Sequence, residues 1–110
     1  MEGCYDKIIG ETGKYDEIDS ETEAKFRWYR RSAKRGYSDA QFNLGYCYSN
    51  GIGTMKDEEE GFQCYLNSAE GGNPKGQNGL GYCYKYGFGI TKYEGKAFHY
   101  FLESANGGIK

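Results

Sequence analysis

The chain has 110 residues, enough for one domain with a modest core. A formal net charge of −2 offers no global field for nucleic acid or a membrane surface. Mean hydropathy is −0.88, yet aromatic residues make up 17% of the chain, which excludes a disordered composition.

The chain repeats itself. Residues 37–72 and 73–108 align without a gap over a period of 36, with "LGYCYSNGIGT" answered by "LGYCYKYGFGI". A period of this length marks a solenoid of small helical units. Three units follow: a truncated and degenerate one over 1–36, then 37–72 and 73–108.

In the first unit "CYDKIIG" matches the end of the first helix of the later units. Residues 22–36 then match their second helix, with Phe26, Phe62 and Phe98 in one register. Ser20 and Glu23 have capping-box spacing at its start. In the second unit, helix A is predicted from Ser38, where Ser38 and Gln41 have the same spacing. Ala40, Leu44, Cys47 and Tyr48 then recur at helical intervals. Gly51 and Gly53 end that helix and turn the chain. Helix B is predicted to begin near Asp57, with Phe62, Tyr65, Leu66 and Ala69 as its apolar stripe and Gly71-Gly72 at its end. The third unit repeats this plan, with Asn73 as N-cap and Pro74 at the first helical position. Leu80, Tyr84, Gly87 and Gly89 stand at the same places, and helix B begins near Tyr93. Gly45 and Gly81 follow the core leucines. Glycine inside a helix costs about 1 kcal/mol relative to alanine. Accepting that cost twice at one position predicts close packing on helix B of the same unit.

The residues Ala40, Leu44, Gly45, Tyr48, Gly51, Gly53, Asp57, Tyr65, Ala69 and Gly72 resemble the Sel-1-like repeat pattern, related to tetratricopeptide repeats. In the third unit Leu80, Gly81, Tyr84, Gly87, Gly89, Lys96, Ala97, Tyr100, Phe101, Ala105 and Gly108 do the same. Gly61, Gly76 and Tyr93 depart from it. The resemblance implies an all-α fold, an α/α superhelix of stacked helix pairs forming one domain over 1–110. It also implies adaptor or scaffold work on a protein or peptide partner, with no catalysis and no cofactor. An alternative is a fragment that assembles with other repeat proteins, self-associating through incomplete terminal repeats. A remote one is a β-lactam-hydrolysing enzyme like the cysteine-rich cousins, but no Ser-x-x-Lys occurs.

Candidate chemistry is sparse. The cysteines lack metal-ligand spacing and read as small buried hydrophobes. The resemblance adds one option, a Cys47–Cys64 bridge between the helices of a unit. "GIGT" and "GFGI" follow helices and are not phosphate loops. His99 is the only histidine and has no catalytic constellation around it. No stretch reaches the roughly 18 apolar residues of a membrane span, and the opening "MEGCYDKIIGETG" has no signal-like apolar core. The expected location is cytoplasmic, with the thiols reduced and neither nucleic acid nor membrane as partner. Arg27, Arg31 and Lys34 fall on one helical face, either as a basic patch or as a solvated outer surface. On helix A, Asn43, Tyr46 and Asn50, with Tyr82 and Tyr86, point away from the Ala40–Leu44–Tyr48 stripe. They either line a partner-binding groove or bury Tyr46 and Tyr82 against neighbouring units.

Overall fold

Each described helix is followed within two residues by a glycine of positive φ, where the backbone can reverse. The computed structural model describes residues 20–107, in five helices with no strand among the described residues. They are α1 (Ser20–Lys34), α2 (Ser38–Asn50), α3 (Glu58–Glu70), α4 (Pro74–Tyr86) and α5 (Glu94–Ala105). Thus α1, α3 and α5 are B helices, and α2 and α4 are A helices. The "CYDKIIG" match and Cys4 lie outside the described residues.

The two A-helix ends are copies of one another. Gly51 and Gly87 take left-handed backbone angles, with φ of 68° and 75°, and their N–H groups donate to Cys47 O and Cys83 O. A side chain at either would be strained. Asp57 N donates to Tyr48 O at 2.7 Å, and Tyr93 N to Tyr84 O at 2.8 Å, closing the two turns alike.

The helix starts follow prediction at Asp57 and Asn73, whereas neither predicted Ser-led capping box forms. Asp57 accepts from Glu60 N, and Asn73 accepts from Lys75 N ahead of Pro74. The expected Ser38–Gln41 box does not form: the N-cap is Tyr37, which has no side-chain cap. Ser38 Oγ instead accepts from Asn73 Nδ2 at 3.1 Å, and Gln41 Nε2 donates to Ala33 O at 3.3 Å. Both side chains serve contacts to neighbouring units rather than their own helix end. Ser20 is already helical, so the Ser20–Glu23 pair lies within the helix.

The core is divided by unit junctions. Phe26, Leu44, Cys47 and Cys64 form one cluster, contributed by α1, α2 and α3. Tyr65, Ala69, Leu80 and Cys83 form the next, with Phe42, Phe62, Tyr84 and Tyr100 packed against it. A helix pair thus buries its second face only on the following pair, as a solenoid requires. On α3 the deepest residues are Cys64, Tyr65, Ser68 and Ala69, while Phe62 and Leu66 are half-buried and turn toward the next unit.

The small residues allow the predicted close approach. A Cβ on Gly45 would come within 2.8 Å of the Tyr65 ring, and one on Gly81 within 2.6 Å of the Phe101 ring. Each glycine therefore faces helix B of its own unit. Ser68 Oγ donates to Ser38 O, and Ser104 Oγ to Pro74 O, both at 2.8 Å. These bonds tie the ends of α3 and α5 to the starts of α2 and α4, the A helices of their units.

Candidate functional site

The packing contacts determine which side chains stay free. On α2 and α4, Leu44, Cys47, Leu80 and Cys83 point into the core, and Tyr48 and Tyr84 pack against neighbouring rings. Helical geometry then leaves Tyr46, Asn50, Tyr82 and Tyr86 on the open side. Tyr46, Tyr82 and Tyr86 are 52%, 46% and 53% exposed, so none is spent on the core.

Between α2 and α4 lies a hollow of about 390 Å³, bordered by Tyr46, Asn50, Tyr82 and Phe88. Its floor is Phe42 and Tyr65, whose rings lie 5.6 Å apart. Gly79 helps make the floor: a Cβ there would come within 2.7 Å of the Tyr65 ring. Burial pushes the Tyr65 hydroxyl up to about 12, and a hydrogen bond with Ser49 acts in the opposite direction. Tyr65 therefore stays a neutral floor.

The rim is an aromatic surface. Tyr82 and Tyr86 are stacked, with centroids 6.3 Å apart and planes at 4°. Phe88 continues the row 5.5 Å from Tyr86, and Phe101 meets Tyr82 edge-on at 5.0 Å. Lys85 Nζ lies 5.2 Å from the Tyr86 centroid. Such rings offer rigid contact area at low entropic cost. Polar ends come from Asn50, Lys56, Glu58 and Asn78 on the same hollow.

The structure groups Tyr46, Asn50 and Tyr82, and Tyr86 joins them through its stack. Asn43 lies apart, in a second hollow of about 320 Å³ with Trp28, Arg31 and Arg35. Its counterpart Gly79 takes the groove position instead. The basic residues divide in the same way. Arg31 lines that second hollow, Lys34 lines another with Arg30, and exposed Arg27 borders neither. Phe88 and the Phe42–Tyr65 floor are absent from the sequence-based set. Phe88 was legible in principle, since both Gly-x-Gly turns carry an apolar residue between the glycines.

A larger depression of about 890 Å³ runs between the turns, bordered by Lys56, Asp57, Glu58, Glu59 and the 87–91 loop. Phe88 of that loop borders the smaller hollow instead, so no aromatic side chain lines this depression, which marks the seam where the 87–91 turn rests on the start of α3. The smaller hollow has the anchors that recognition uses.

The remaining reactive groups are quiet. Cys47, Cys64 and Cys83 are buried free thiols, so the optional Cys47–Cys64 bridge does not form. Burial pushes Cys64 and Cys83 up to about 12 and raises Cys47 as well. Thiols held this far from ionisation are poor nucleophiles and poor metal ligands. His99 is exposed, with Nε2 3.1 Å from Glu103 Oε2. Among the described residues, no three His, Cys, Asp or Glu side chains are grouped to hold a metal. None of the described helices is long and apolar enough to cross a membrane.

These features define an α/α solenoid of tandem helix pairs with an aromatic groove along its A helices. The chain belongs to the Sel1 repeat family, whose sequence pattern matches residues 26–37, 38–73 and 74–109. Proteins of this family generally act as non-catalytic protein-interaction modules. A Sel1 repeat protein from Oxalobacter formigenes superposes with a TM-score of 0.77 at 24% identity, over 80% of this chain and 25% of that one. A protective antigen of uropathogenic Escherichia coli with the same fold gives 0.74 at 34% identity, over 83% of this chain and 20% of that one. The rat and mouse proteins named DAP3-binding cell death enhancer 1 are each 47% identical over 34 residues, which is 31% of this chain. The chain spans 7% of the length of those two curated relatives.

Proposed function

We propose that the chain is an adaptor or scaffold module that binds a segment of another protein along the α2–α4 groove, in the cytoplasm. One observation carries this reading. The tyrosines at positions 48 and 84 are committed to ring contacts within the stack, while Tyr46 and Tyr82 line one hollow about half exposed and equally exposed Tyr86 stacks on Tyr82 beside it. The relative whose name describes it as DAP3-binding supports a protein as the partner class, without indicating which protein.

A hollow of this size takes one or two partner side chains. The stacked Tyr82–Tyr86 pair would lie along the partner backbone, and the amides of Asn50 and Asn78 would pair with its polar groups. The test is a photo-crosslinker placed in turn at Tyr46, Tyr86 and the exposed Lys75. The account predicts that one protein is captured from both tyrosine positions and not from Lys75. Equal capture at all three would remove the groove.

A further inference from the structure

The lining of the groove narrows the chemistry of its partner. Two side chains on its border carry charge, Lys56 and Glu58, and their ends lie 3.6 Å apart. Paired in this way they leave the hollow without net charge, which suits an uncharged segment. The rest of the border is mostly rings, among them Tyr46, Tyr82 and Phe88, with the amides of Asn50 and Asn78.

Backbone chemistry separates the three forms that a bound segment could take. Tyr46 and Asn50 belong to α2, and Asn78 and Tyr82 to α4. Within a helix, N–H and C=O groups are largely spent on one another, so both walls meet a partner through side chains. Those side chains are rich in donors: the hydroxyls of Tyr46 and Tyr82 and the amides of Asn50 and Asn78. One Asn50 N–H goes to Tyr46 O at 3.0 Å, which leaves the other for a partner. An extended strand laid here would set a row of its own N–H groups against rings. Each one left unpaired costs about 1–3 kcal/mol. A helix brings few free carbonyls, since its own turns consume them, so the rim donors would go unmatched. A proline-rich segment in polyproline II form meets both needs. Proline has no N–H to leave unpaired, and the carbonyls of this left-handed helix make no internal hydrogen bonds.

The rings suit the same partner. Tyr82 and Tyr86 stand parallel within 4°, and Phe88 follows at 32° to Tyr86. Such a row offers successive apolar faces to proline rings, whose stiff chain has little entropy to lose on docking. Building on the groove reading above, we propose that the α2–α4 groove takes an uncharged, proline-rich segment in the polyproline II conformation.

The test is fluorescence anisotropy of a labelled ten-residue oligoproline titrated with the full chain. Saturable binding is expected below about 1 mM. Tyr46→Ala and Tyr82→Ala should each weaken it about fivefold. Tyr82→Phe should weaken it about threefold through the lost hydroxyl, and Lys75→Ala should leave it unchanged. Circular dichroism of each variant separates lost binding from lost folding. Three results overturn the proposal: no binding up to about 1 mM, binding indifferent to both alanine changes, or tighter binding of a helical peptide with leucine at every fourth position. Failure of the groove itself reads differently. Capture of one protein from Tyr46 and Tyr86 without oligoproline binding keeps the groove and removes the proline segment, whereas equal capture at Lys75 removes the groove.

Discussion

Tyr84 meets Phe62 edge-on, with ring centroids 5.6 Å apart and planes at 89°. Tyr48 makes the same contact with Phe26 one unit earlier. The equality of the two geometries means that one packing solution is used at both junctions. Stability then resides in junctions, and a residue's importance depends on whether its junction is filled.

That dependence separates residues that are identical in the repeat register. Phe26→Ala removes a buried ring and should cost about 3–5 kcal/mol. Phe98→Ala removes an exposed one and should stay within about 0.5 kcal/mol. Urea unfolding of the two variants checks the contrast. Equal losses would mean that the outer face of α5 is covered in solution.

The helix glycines differ in a subtler way. Alanine at either Gly45 or Gly81 gains about 1 kcal/mol of helix propensity. Overpacking opposes that gain by about 1–3 kcal/mol. At Gly45 the new Cβ meets buried Tyr65 and also lies 3.1 Å from Gly61 O, a backbone atom that does not rotate away. At Gly81 its three nearest atoms all belong to the ring of half-buried Phe101, a side chain that can shift where a backbone oxygen cannot. Gly45→Ala should therefore lower the thermal midpoint, and Gly81→Ala should change it less.

The buried thiols set a limit on alkaline stability. Burial raises Cys64 and Cys83 from 9.0 to about 12 in the folded chain. The unfolded chain loses these protons first as pH rises, so it binds fewer protons than the folded chain. Stability is then complete below about pH 9 and falls between pH 9 and 12, by at most about 1.4 kcal/mol per unit for each thiol. Replacing both cysteines by alanine should flatten that decline in a pH series of urea midpoints, from a lower starting stability.

Much of this fold was legible in the sequence because the chain states each packing rule twice. Leu44 and Leu80, Gly45 and Gly81, and Gly51 and Gly87 could be assigned by comparing one unit with the next. Features that depend on a neighbour's side chain were not legible. Ser38 looked like a cap because its spacing to Gln41 is right, but Asn73 of the next unit takes its hydroxyl. Gln41 and Gln77 share a register position, yet Gln41 reaches Ala33 O while buried Gln77 has no amide partner among the described residues. The groove was half legible. Helical phase exposed Tyr46 and Tyr82, whereas the floor depends on Tyr65 sliding under Gly79, a contact between units.

The groove itself is tested most directly by a double variant, Tyr46→Ala with Tyr82→Ala, in quantitative capture of partners from cell extract. Both rings are about half exposed, so the thermal midpoint should move little. A matched variant on another surface, Lys75→Ala, serves as the reference. The account predicts that the double variant loses its main protein partner by about tenfold or more, while Lys75→Ala keeps it. Retention of that partner by a folded double variant would contradict the account.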